Sequence, residues 1–102
     1  GRLLADYAKH AVLVDFYADP GCWKCEEYLG KELPAVTRRS DRILRLAEHS
    51  ILDQKVLEQL TRRLQAAGQT LIELPVAFVG DRPFQGLTAI RAAMQEALAG
   101  AR

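Results

Sequence analysis

An α/β fold, with a mixed central sheet of about four strands flanked by helices on both faces, is predicted for this 102-residue chain by three observations. Strand and helix signals alternate along it in the order αβαβαββα. Ala11 to Tyr17 is a run of Val, Leu, Phe and Tyr interrupted only by Asp15, as expected of a central strand covered on both faces. Gly80-Asp-Arg-Pro83 sets a turn between two β-prone stretches, so a hairpin closes the sheet near its end. Alternation before that hairpin implies parallel pairing in the first half.

Each element follows from local chemistry. Leu3 to His10 has a short helical pattern, with Leu3, Leu4, Tyr7 and Ala8 on one side. After the first strand, Asp19-Pro20-Gly21 breaks the extended run. A helix from about Trp23 to Leu33 follows, with Glu26 and Glu27 in its first turn, where the helix dipole favours negative charge, and Pro34 after its end. Arg42 to His49 alternates as a second strand. Ser50-Ile-Leu-Asp53 reads as a capping box, and Leu52, Val56, Leu57, Leu60 and Leu64 recur at helical spacing until Gly68 stops the helix. Leu71 to Val79 is β-prone around Pro75, Phe84 to Gly86 is a short partner strand, and Leu87 to Leu98 is a last helix with Leu87, Ile90, Met94 and Leu98 in register.

Composition bounds the function. Apolar residues make up 49% of the chain, enough for residues 1–102 to form one compact domain with its own core and too few for a second. Lys and Arg number 14 against 13 Asp and Glu, with the signs mixed, so nucleic acid is not an expected partner. The doublets Arg38-Arg39 and Arg62-Arg63 read as solvated faces. No apolar run approaches the roughly 20 residues that span a bilayer. A soluble monomer is expected, and an initial Gly in place of Met points to a processed or trimmed chain.

Cys22 and Cys25 are the chain's two cysteines. Their spacing places both sulfurs in the first turn of a helix, close enough to close a small disulfide ring and open it again. One such pair does not make a stapled secreted scaffold, which would carry several bridges, so the pair reads as catalytic. His10 and His49 lack ligand-like spacing and no metal is assigned. Cys22, at the helix start, is the expected nucleophile, its thiolate favoured by free backbone N–H groups and the dipole to a pKa below about 8.5. Lys24 adds positive charge if its ammonium points back toward the sulfur. Cys25, a turn deeper, would resolve the mixed disulfide. Asp15 needs a partner or a proton, because an acid inside an apolar strand otherwise carries a desolvation cost. Pro75, inside a β-prone run, marks an edge, a bulge or a cis bond.

Three segments, Val12-Leu-Val-Asp-Phe-Tyr-Ala18, Cys22-Trp-Lys-Cys25 and Leu74-Pro75-Val76, resemble the thioredoxin superfamily. Tyr17-Ala18-Asp19 is similar to periplasmic thioredoxin-like reductase domains, whereas Leu74-Pro-Val-Ala-Phe-Val-Gly-Asp-Arg-Pro-Phe-Gln-Gly86 followed by a helix is more like glutaredoxins. The resemblance implies a thioredoxin-like fold, a cis Leu74–Pro75 peptide beside the cysteines, substrate contacts from Leu74 with Trp23 and Lys24, and Asp15 as the group that helps deprotonate Cys25. It also implies a thiol-disulfide oxidoreductase that needs no cofactor beyond its own Cys22–Cys25 disulfide. The expected partners are protein disulfides or thiols, glutathione adducts, and a recycling redox protein, in a bacterial-type cytoplasm or, preferentially, periplasm. The alternative is a binding or adaptor module whose cysteine pair is a structural or sensing disulfide. The chain departs from the thioredoxin pattern at Pro20-Gly21, where Trp usually precedes the first cysteine, and at Trp23-Lys24, where Gly-Pro is usual. One residue is also inserted between Asp15 and Cys22.

Overall fold

A computed structural model describes residues 11–99 of the chain. The helix expected over Leu3–His10 lies outside them. The strands are β1 (Ala11–Ala18), β2 (Ile43–Ser50), β3 (Val76–Val79) and β4 (Arg82–Gln85), in the order β2-β1-β3-β4. β1 runs parallel to β2 and antiparallel to β3, and β3 and β4 form the hairpin. This mixed α/β arrangement is consistent with the thioredoxin-like fold. Gly80, at φ +63°, makes the tight hairpin turn. Pro83 lies in β4 rather than in the turn, and β4 pairs on one side only among the described residues, where a missing N–H costs no ladder bond.

The helical run after β1 is longer than expected. α1 (Trp23–Glu27) passes through a π-helical stretch (Tyr28–Glu32) into α2 (Leu33–Arg38), so Pro34 lies inside the run instead of ending it. Proline has no N–H to offer the carbonyl four residues back. A wider turn just ahead of it, with Leu33 N–H bonded to Tyr28 C=O, carries the chain across the gap.

α3 (Gln54–Ala66) starts later than the expected capping box. Asp53 is its N-cap, accepting the Lys55 N–H at 2.9 Å, and Leu52 stays outside the helix and exposed. Its end is as the sequence indicates: Gly68 takes φ +77°, and the Gln69 and Gly68 N–H groups return to the Leu64 and Gln65 carbonyls in a Schellman motif. α4 (Leu87–Ala99) completes the fold.

Alternation along β1 divides the interior into two cores. Val12, Val14 and Phe16 pack with Cys25, Tyr28, Leu33, Ile90, Met94 and Leu98, while Tyr17 packs on the other face with Leu60, Leu64, Val76 and Phe78. The second face is covered only in part, since Leu13 is exposed on it.

Register brings the cysteine loop and the Pro75 segment to one end of the sheet. Ala18 pairs with Ser50, and Tyr17 pairs with Val76, so the loop leaving β1, the end of β2 and the Leu74–Pro75 approach to β3 converge there. Gly86 N–H bonds Pro75 C=O at 2.8 Å, which brings the start of α4 to the same end.

Candidate redox site at the start of a helix

Asp19 shapes the loop that presents the cysteines. Its carboxylate accepts the Gly21 N–H at 2.8 Å and its carbonyl accepts the Cys22 N–H at 3.0 Å, turning the chain out of β1 and into α1. Cys22 is the N-cap residue of α1, in an extended conformation. A cysteine here puts sulfur where Ser or Asp would ordinarily put oxygen: Cys22 Sγ accepts the Cys25 N–H at 3.2 Å. The two cysteines are disulfide-bonded, with Cα atoms 5.3 Å apart. Cys22 is half-buried and Cys25, one turn on, is only 4% exposed against the Phe16 core. An incoming sulfur therefore meets Cys22 first.

One depression borders the disulfide and a second lies along the other side of Trp23. A cleft of about 330 Å³ has Phe16, Leu29 and the disulfide in its wall and Asp19, Glu26 and Glu48 around it. A groove of about 650 Å³ lies beyond Trp23, with Lys24, Lys31 and Arg91 along it. Trp23 is 65% exposed, and the Lys24 ammonium lies 5.7 Å from its ring centre, so Lys24 sits against the indole. The Leu74–Pro75 peptide is cis; Leu74 is partly exposed and Pro75 is buried. A set of hydrogen bonds steadies the approach to it. Gln85 Oε1 accepts the Ile72 and Glu73 N–H groups at 2.8 and 3.0 Å, and Gln85 Nε2 donates to Thr70 C=O at 2.8 Å.

Asp15 is engaged elsewhere. Its Oδ1 lies 2.9 Å from His49 Nε2 and its Oδ2 accepts from Arg63 Nη1 at 3.0 Å, while the same Nη1 donates to Tyr17 Oη at 3.0 Å. Burial opposes the ionised form of Asp15, but the hydrogen bonds from His49 and Arg63 and their positive charge hold its carboxyl below the usual carboxylate value. An ionised carboxylate only accepts, so His49 Nε2 carries the hydrogen of that bond. His49 stacks on Tyr17 at 4.6 Å between ring centres, and the Arg63 guanidinium lies 3.9 Å from the centre of the Phe78 ring. Asp15 thus faces the side of β1 that carries Tyr17, and Cys25 packs with Phe16 on the other.

The Arg62-Arg63 doublet reads as a solvated face, yet Arg63 is only partly exposed and gives its guanidinium to Asp15, Tyr17 and the Phe78 ring. Leu60 and Arg63 are three residues apart on α3, which puts them on one face and gives the signal that could have found the network. Glu48 was missed as well. It pairs in register with Phe16 and so shares the cysteine-side face of the sheet.

The chain is a small α/β domain with a mixed four-stranded sheet and a Cys22–Cys25 disulfide at a helix start. Compared with family models, curated proteins and solved structures, it matches none of them.

Proposed function

We propose that this chain is a thiol-disulfide oxidoreductase of the thioredoxin superfamily, with Cys22 and Cys25 as its redox pair. The observation that carries the proposal is the Cys25 N–H directed at Cys22 Sγ from the first turn of a helix. In the reduced protein the same N–H and the dipole favour a Cys22 thiolate, which is the attacking species in thiol-disulfide exchange.

The Cys22 thiolate attacks one sulfur of a substrate disulfide. A Cys22–substrate disulfide forms, and the other substrate sulfur leaves as a thiolate and takes a proton from water. Cys25, as thiolate, attacks Cys22 Sγ, closes the Cys22–Cys25 disulfide and releases the second substrate thiolate. Two electrons pass from the dithiol to the substrate. Run backwards, the same steps oxidise a substrate dithiol, and the direction follows from the potential of the partner.

Trp23, Lys24, Leu74 and Pro75 are the proposed substrate contacts. An exposed indole beside a half-buried sulfur, with an exposed Leu74 on the approach to β3 at the same end of the sheet, suits an extended polypeptide segment. Leu74 contributes backbone groups to it.

Single-turnover exchange with a disulfide-bonded peptide tests the reading. Cys22→Ser is expected to abolish exchange and Cys25→Ser to trap a mixed disulfide visible by mass spectrometry. Exchange as fast as the parent in both variants would end the proposal. A disulfide that resists millimolar dithiothreitol, with a Cys22 that does not alkylate at neutral pH, would favour the adaptor reading in its place.

A further inference from the structure

We infer that the cleft beside Cys22 selects disulfide partners that carry positive charge next to the reactive cysteine, and that Glu26 and Glu48 set this preference. The inference rests on the oxidoreductase reading and names the substrate class of that same site.

The cleft is continuous with the disulfide, so a segment docked on Cys22 places the residues flanking its own sulfur beside the cleft's walls. Three acidic residues line the cleft from three parts of the fold. Asp19 comes from the loop after β1, Glu26 from the first turn of α1, and Glu48 from β2, on the Phe16 side of the sheet by its register. Among the described residues Glu26 and Glu48 have no ion-pair partner. The one residue of the lining that could carry positive charge, His49, gives its ring to Asp15 and Tyr17 on the opposite face. The negative charge of the cleft is therefore not neutralised within it.

Nor does this set converge as a metal site would. Among the described residues no group of His, Cys, Asp or Glu is placed to hold a metal ion. Spread carboxylates around an open cleft act as a field on a charged segment. The chain's net charge is +1, so its overall charge does not attract cations and the preference is local to the cleft.

A carboxylate about 8 Å from a unit charge in water interacts by somewhat less than RT, and salt near 0.15 M screens it over a similar length. Three of them, compared between a cationic and an anionic flank, give a discrimination of about fifty-fold at 0.01 M salt and about seven-fold near 0.15 M.

The test uses three peptides of equal length, each closed by one internal disulfide and flanked by Lys, Ser or Glu. Each is mixed with the fully reduced protein, and oxidation of the Cys22–Cys25 dithiol is followed by the fluorescence of Trp23, the only tryptophan. Rates are divided by each peptide's own rate with dithiothreitol, which removes intrinsic differences in reactivity. The expected Lys-to-Glu ratio is about fifty at 0.01 M salt, falling to about two at 0.5 M salt. In the double variant Glu26→Gln, Glu48→Gln the low-salt ratio is expected to drop to about four. A ratio near one in the parent at low salt, or one unmoved by the double variant, overturns the inference and leaves the oxidoreductase reading standing. If none of the three peptides oxidises the reduced parent, the oxidoreductase reading fails and the inference falls with it.

Discussion

At the scale of residues, Asp15 shows how neighbours decide what a side chain does. An acid within a buried strand was legible as an anomaly that needed a partner, but the partners come from β2 and from α3, 34 and 48 residues away. No local pattern contains that information. Because the folded Asp15 has its pKa lowered, its contribution to stability is present above the unfolded value of about 3.9 and is lost as pH falls through the folded value. Asp15→Asn is therefore expected to lower stability in urea unfolding at pH 7, with the difference from the parent shrinking as pH falls below the unfolded value. Both Asp15 oxygens are already engaged, so the pH profile of the Cys25 resolving step is expected to stay unmoved in Asp15→Asn. A displaced profile would show that this carboxylate takes the Cys25 proton. Tyr28 gives the opposite pH signature. Burial, with Glu32 nearby, pushes its hydroxyl up to about 12, against the weaker pull of Arg91. Its stabilising contribution is complete below the unfolded value of about 10 and is lost as pH rises through about 12. A late tyrosine ionisation is expected in ultraviolet titration, and Tyr28→Phe should remove it.

At the scale of elements, β1, the hairpin and the stop of α3 at Gly68 could be read in advance because each depends on chemistry within a few residues. Elements set by distant or subtle bonding were harder to read. Proline disrupts an α-helical ladder, so the sequence predicts a helix end at Pro34, but a π-helical turn ahead of it accommodates the missing donor. The capping box places Ser50 at the cap and Asp53 within the first turn, whereas the backbone path of residues 50–53 makes Asp53 the cap. The segment before Pro75 looked like strand because its side chains are β-prone, yet its backbone groups bond to the Gln85 amide instead of a neighbouring strand. Gln85→Leu should release that segment. We expect a loss of about 1–2 kcal/mol, because the bonds are exposed to water, together with faster hydrogen exchange at Ile72 and Glu73. In the oxidoreductase reading the same variant should weaken peptide binding more than it slows exchange within the bound complex.

At the scale of the whole molecule, one sheet separates two environments. The Phe16 side carries the cysteines over an apolar core, and the Tyr17 side carries a charged network over a second core. Ile90→Ala in the first core and Leu64→Ala in the second are each expected to cost about 2–5 kcal/mol, since both side chains are fully buried. Only the first removes packing from the core that holds Cys25. The cysteine pair and the fold around it were legible because their signals are local and repeated; the charges that line the cleft emerge only once β2 is laid beside β1 in register. The central claim is that the Cys22–Cys25 disulfide is a reversible two-electron couple. Its most direct test is a redox titration of the chain in buffers of reduced and oxidised glutathione, followed by Trp23 fluorescence and by counting free thiols. The account expects one reversible transition, two thiols appearing together, with a midpoint in the range of roughly −270 to −120 mV spanned by dithiol oxidoreductases. A disulfide that stays closed through the whole titration and in millimolar dithiothreitol would contradict it.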